Sequence, residues 1–319
     1  MNHSQQIKFT EHRTLLSLGA SLLLPFIVGI APAIAGDPCT ATANRLRNSC
    51  HDSAESDYRR ALAICQNVSN VETRQACRDQ AAHALSDAKE TCRDQSDARL
   101  AACQKLGQDR YDPVINPTEF IQAVNNPYFP LRPGTTLVYE GQTADGLEHS
   151  EFAVTHRTRE ILGVTCIEVH DSVTVDGELT EDTLDWFAQD TQGNVWYFGE
   201  NTHELEDGLI TTIEGTFMAG VDGAKPGIIM KAHPVIGDFY RQEFSLAEAE
   251  DFAETVALNE AVTVPAGTFM NCLKSQETTP LEIDLLEFKF YAPNVGNVLT
   301  VDGHTGDRIE LIEIRMNSE

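Results

Sequence analysis

The sequence predicts an α+β protein. An N-terminal, disulfide-stapled antiparallel α-helical hairpin precedes an antiparallel β-meander, closed as a barrel, a half-barrel or a sandwich. Three observations predict it. Six of the eight cysteines are arranged symmetrically about Val71. Residues Ala41 to Leu106 contain neither Gly nor Pro. From Thr135 onward the chain alternates apolar and polar residues and carries Asp-Gly pairs, a strong hairpin signal because both residues tolerate positive φ.

The first element is a targeting segment, residues 1–35. A polar lead with Lys8 and Arg13 is followed by an apolar run from Leu15 to Ile30. Ala33-Ile34-Ala35 then matches a small-x-small cleavage site. This predicts a signal peptide cut after Ala35 and an exported chain, periplasmic or extracellular, where disulfides persist. No later stretch is apolar and long enough to span a bilayer, and no cysteine directly follows the cleavage site, so a lipid anchor is not indicated.

The second element, residues 37–107, is the hairpin. The step from Cys39 to Cys50 drifts only ~20° round a helix, and the step to Cys65 about 60° more, so all three share a stripe. Cys77, Cys92 and Cys103 repeat the steps in reverse. A turn near residue 71 therefore pairs Cys39 with Cys103, Cys50 with Cys92, and Cys65 with Cys77. Ser69 and Glu72 fit a capping box at the start of the return helix. No C-x-x-C occurs, which argues against a zinc site.

A linker and aromatic lead-in loop cover 108–134, with Pro113 and Pro117 stopping the helix and a short helix expected over Thr118–Asn125. The rest, 135–319, is the β domain, with a second short helix expected over Leu246–Glu254. The Gly-rich run Gly220–Met230 does not lead into a helix, so it reads as a lid loop and not as a phosphate cradle.

Charge is uneven. The chain carries a net charge of −26, and residues 111–319 hold 37 acidic against 10 basic residues, while 37–110 balance at 11 each. This argues against nucleic-acid and anionic-lipid partners, which need positive charge. Colloidal solubility is the bland reading of the excess; attraction of a cation is the sharper one.

Several stretches carry a resemblance. Val262–Phe269, Asn271-Cys272-Leu273 and Phe290–Gly296 resemble a pattern in periplasmic half-barrels of the LolA/LolB lipoprotein-carrier type, although Asn294 stands where those proteins usually have Gly. Asn126–Leu131, Asp185–Asp190, Gly193–Gly199 and Gly220–Gly227 resemble a family of uncharacterised secreted bacterial proteins. The resemblance implies fold and no activity.

No catalytic motif occurs: no H-E-x-x-H, P-loop, G-x-S-x-G or G-x-G-x-x-G. Three constellations remain. Trp186, Trp196, Tyr197 and Phe198, rimmed by Asp185, Asp190 and Glu200, form either an aromatic binding platform or a barrel-wall core. Cys166, Glu168 and His170 share a strand face and read as metal ligands, unless Cys166 pairs with Cys272 as a fourth disulfide, the preferred reading for an exported chain. Arg241, amid Tyr240, Gln242, Glu243 and Asp251, is either a substrate clamp or a local neutraliser.

The leading expectation is a non-catalytic binding protein. Trp186, Trp196, Tyr197, Phe198 and Arg241 would hold a small apolar or amphipathic ligand, with the hairpin as cap or docking arm. One alternative is a metal-dependent or acid–base hydrolase using Asp185, Asp190, Arg241 and Glu243. Another is a structural or adhesion protein whose hairpin engages a protein partner. No cofactor is expected, a divalent cation excepted.

Overall fold

The structure, a computed structural model, describes residues 37–316. The expected signal peptide lies outside the described residues.

Two long helices run first, α1 (Pro38–Gln66) and α2 (Val71–Leu106). Pro38 opens α1, where its missing N–H costs nothing. The cap of α2 is Asn70, one residue later than expected, and its side chain accepts a hydrogen bond from Thr73 N at 2.9 Å. Gly107 ends α2 at φ 92°.

The helices pack through Ala43, Ala54, Ala81 and Ala102 and the cysteines, so they bury little apolar surface of their own. Sulfur bridges supply the missing cohesion. Cys39–Cys103, Cys50–Cys92 and Cys65–Cys77 span Cα–Cα distances of 5.8, 5.7 and 5.7 Å, as the symmetry predicts. Each is of a kind that contributes ~2–4 kcal/mol.

The remainder is antiparallel β-structure. A 3-10 turn (Pro117–Glu119) leads to β1 (Phe120–Ile121), β2 (Val124–Asn126), β3 (Phe129–Leu131), β4 (Thr135–Gln142) and β5 (Leu147–Ile161). Then come β6 (Val164–Val175), β7 (Glu178–Asp190), β8 (Val195–Glu206), β9 (Leu209–Thr212), β10 (Phe217–Met218) and β11 (Lys225–Met230). The chain closes with β12 (Phe239–Arg241), β13 (Glu243–Phe244), β14 (Phe252–Val264), β15 (Gly267–Thr278), β16 (Glu287–Ala292), β17 (Gly296–Asp302) and β18 (Arg308–Met316). The Asp-Gly signal is realised at the β6–β7 turn, where Asp176 and Gly177 take φ 51° and 85°, and at the β8–β9 turn, where Asp207 and Gly208 take 53° and 73°.

One sheet runs in the order β12-β14-β15-β16-β17-β18-β4-β5-β6-β7-β8-β11-β13. Its two edges, β12 and β13, are separated in the chain only by Gln242. The sheet therefore curls into a nearly closed barrel, with its seam at that residue. Close approach at the seam requires Gly227, because a Cβ there would lie 2.1 Å from the Gln242 carbonyl oxygen.

The pair β2–β3 stands apart from the sheet. Its Val124, Phe129 and Leu131 pack with Val154, Ile167, Phe187 and Tyr291 in the main apolar cluster. Gln189 fixes it there by accepting from Asn125 N (2.7 Å) and Asn126 N (2.8 Å).

The hairpin rests against the seam region. Arg99 on α2 pairs with Glu250, Lys105 with Glu254 at 2.5 Å, and Gln95 donates to the Leu281 carbonyl at 3.0 Å.

Four expectations are corrected. Residues 118–125 form a single 3-10 turn and strands, because Pro117 and the pairing of Phe120 with Asp190 hold them extended. Residues 246–251 form a turn closed by the Ser245–Ala249 bridge instead of a helix. The supposed lid is a turn at Asp222-Gly223 and then β11, paired to β8 and β13. Finally, Cys166 and Cys272 are both free and buried. Cys166 on β6 packs with Ile161 and Trp186, and Cys272 on β15 packs with Leu137 and Val262. Their strands are not neighbours, so no bridge joins them.

Candidate functional site

The barrel carries a cavity of about 640 Å³ that is open to solvent at one side, within the range of small-molecule sites. Alternation sends every second residue of β6, β7, β8, β15 and β16 inward. The lining holds twelve carboxylates and one basic side chain, Lys289. Aromatic rings line it too. Phe129 lies 5.2 Å from Phe187, 6.2 Å from Phe152 and 6.4 Å from Tyr291, and Phe187 stacks on Tyr197 at 4.6 Å.

Asp185, Tyr197 and Glu200 form the densest polar group. The Tyr197 hydroxyl donates to Asp185 Oδ1 through a short contact and lies 2.9 Å from Glu200 Oε2. One hydroxyl proton shared by two carboxyl oxygens favours the protonated form of one carboxyl.

Glu200 would face away from Tyr197 in a regular strand, since the two are three residues apart. A bulge opposite Trp186–Phe187 returns it to the same face. The bulge depends on Gly199, at φ 151°, where a Cβ would meet the Phe217 carbonyl oxygen at 2.5 Å.

Burial dominates the electrostatics. It pushes Glu200 up to about 8 against the pull of the Tyr197 hydrogen bond, and Asp251 up to about 6. Asp185 is raised well above the carboxylate range by burial and then by Glu200, and Glu243 by burial and then by Asp251. Asp171 is raised by burial and then by Asp185. Burial opposes the charge on Lys289, but Glu277 (3.0 Å) and Glu287 (3.3 Å) outweigh it and hold the ammonium. Asp171, Asp185, Glu200, Glu243 and Asp251 thus form a group in which burial, with the neighbouring carboxylates, favours the protonated form. At its edge, Gln242 is 3% exposed and its Nε2 has no hydrogen-bond partner.

Of the expected ligand platform, only Tyr197 faces the cavity. Trp186, Phe198 and Trp196 lie on the opposite face of β7 and β8, under Ile115 and Phe120. Phe120 makes edge contacts with Phe198 (5.5 Å) and Trp196 (6.3 Å). The barrel-wall reading of these rings is the one realised.

The expected catalytic set does not converge. Asp185 and Glu243 line the cavity. Asp190 ties down the β7–β8 turn, accepting from Gln192 N, Asn194 N and Trp196 Nε1, each at 2.9 Å. Arg241 lines a separate recess beside the hairpin.

The expected metal ligands are committed elsewhere. Glu168 pairs with Arg157 at 2.5 Å and accepts from Trp186 Nε1 at 3.4 Å, His170 meets Asp182 at 2.5 Å, and the Cys166 thiol is pushed up to about 12 by burial. Among the described residues no group of three or more His, Cys, Asp or Glu is placed to hold a metal ion. No hairpin residue lines the cavity, so the hairpin does not cap it.

The residues that sequence reasoning missed are Asp171, Glu277, Lys289 and Tyr291. The signal was present in the alternation of β6 and of β15–β16, where acids sit on the face that also carries core residues.

No protein-family model and no curated protein matches the chain. Among solved structures, the crystal structure of a candidate lipoprotein from Parabacteroides distasonis is similar at 17% identity, with a TM-score of 0.34. The match covers 60% of this chain and 99% of that one. A likeness of that strength carries no argument about this protein. The resemblance to lipoprotein carriers gains no support from these comparisons. No helix among the described residues is long and apolar enough to cross a membrane.

Proposed function

We propose that this chain is an exported, non-catalytic binding protein whose barrel cavity takes an amphipathic amine. The ligand's apolar body lies against Phe129, Phe152, Phe187 and Tyr291. Its protonated nitrogen sits among Asp185, Glu200 and Glu243. The observation that carries this reading is the composition of the lining: twelve carboxylates and one base around an aromatic cluster in about 640 Å³.

An arriving cation favours the ionised form of the carboxyls that burial keeps protonated. The free Gln242 amide N–H offers a hydrogen bond to an acceptor elsewhere on the ligand. Three nested disulfides support an oxidising, extracytoplasmic location.

Calorimetric titration with octylamine, octanol and octanoate tests the proposal. Octylamine is expected to bind most tightly and octanoate least. Equal affinity for the three, or preference for octanoate, overturns it.

A further inference from the structure

A second recess, of about 340 Å³, lies where the hairpin meets the seam. Its chemistry is opposite to that of the barrel cavity. The lining carries four basic side chains (Arg99, Arg110, Lys225 and Arg241) against three acidic ones (Asp109, Asp112 and Glu250). In a chain of net charge −26, this is a locally positive place.

Arg241 is the partly buried basic group of this recess that lacks an ion-pair partner among the described residues. Its guanidinium sits in an aromatic collar, 5.0 Å from the Phe244 ring, 5.0 Å from Phe252 and 5.5 Å from Tyr111. Among the described residues it forms no ion pair; its one polar contact is Nη2 to Cys39 Sγ at 3.9 Å. The neighbouring carboxylate, Glu250, is already occupied. It accepts from Arg99 at 2.7 and 3.1 Å and from Ala247 N at 2.8 Å. Lys225 is likewise neutralised by Asp112.

A partly buried guanidinium collared by three aromatic rings and without an ion-pair partner suits a planar anion. We infer that this recess binds a small carboxylate with a flat apolar body, the carboxylate on Arg241 and the body against Phe252 and Leu246. A carboxylate fits better than a dianion because the recess carries only one positive charge in excess. Its volume is near the lower bound of small-molecule sites. The site is independent of the barrel cavity. Arg241 and Gln242 are consecutive, but the first serves the recess and the second the cavity.

The test is titration of the full chain with benzoate, with benzyl alcohol and inorganic phosphate as comparators. Benzoate is expected to bind saturably at one site, and benzyl alcohol and phosphate at least about tenfold more weakly. Octylamine should not compete with it. Arg241→Lys keeps the charge and the stem but loses the planar fork, and is expected to weaken benzoate about tenfold. Arg241→Gln should weaken it further. The wild-type comparison of benzoate with benzyl alcohol stands even if a variant fails to fold. The inference is overturned if benzoate does not bind saturably, if benzyl alcohol or phosphate binds as well, if octylamine competes, or if folded Arg241→Lys binds benzoate unchanged.

Discussion

Arg99 on α2 and Glu250 in the turn before β14 form a bidentate ion pair, 2.7 Å at its shortest, with side chains only 6% and 2% exposed. They are 151 residues apart. The pair joins the hairpin to the barrel at the seam. Removing one partner would leave the other charge buried without its hydrogen-bonded counter-ion. Arg99→Ala is therefore expected to cost about 3–5 kcal/mol in chemical denaturation. The double change Arg99→Leu with Glu250→Leu should recover much of that loss. A single change costing under about 1 kcal/mol would mean that the hairpin is not held there.

Stability should fall as pH rises. Glu200 shifts from an ordinary value of 4.5 to about 8 in the fold, and Asp251 from 3.8 to about 6. Between those limits the folded chain holds protons that the unfolded chain has released. Their contribution is complete below about 4 and is lost as pH passes through about 6 and then 8. Thermal melts should thus give a higher Tm at pH 5 than at pH 8.5. Glu200→Gln should flatten the upper part of that slope, since an amide cannot ionise. A Tm that rises across this window would contradict the burial of these carboxyls.

Cys166 and Cys272 supply a thiol count. Both are buried and free, and burial raises both thiols, Cys166 to about 12. A thiol reagent should find none in the native protein and two in protein unfolded without reductant. Non-reducing peptide mapping should recover the three nested bridges. Finding no thiol after unfolding would restore the fourth bridge.

Gly227→Ala probes closure of the barrel. The added Cβ would meet backbone, the Gln242 carbonyl oxygen at 2.1 Å, which cannot rotate away. A loss of about 1–3 kcal/mol is expected, typical of overpacking. Gly208→Ala, at a turn with open space around it, serves as the comparison for strain alone.

The hairpin was legible because helical periodicity leaves few ways to place six cysteines. The β-turns were legible where Asp and Gly both need positive φ, as at Asp176-Gly177. The site was less so, and for three physical reasons. Strict alternation puts Glu200 opposite Tyr197, and only the bulge at Gly199 reverses it. Arg241 and Glu243 look like one cluster in sequence, yet the seam at Gln242 sends them to different cavities. Asp190 looks like a rim acid but is consumed by its own turn. The acidic excess was visible throughout. Its reading as solubility or cation attraction did not locate the twelve of these carboxylates that line the barrel cavity.

The proposed cation site predicts that ligand binding and carboxyl ionisation are linked. Calorimetric titration of octylamine in buffers of different ionisation enthalpy at neutral pH measures that linkage. A cation that settles among Asp185, Glu200 and Glu243 must drive protons off them, so binding should release protons to the buffer, and less so in Glu200→Gln. Binding with no proton release, or with proton uptake, would overturn the proposed cation site.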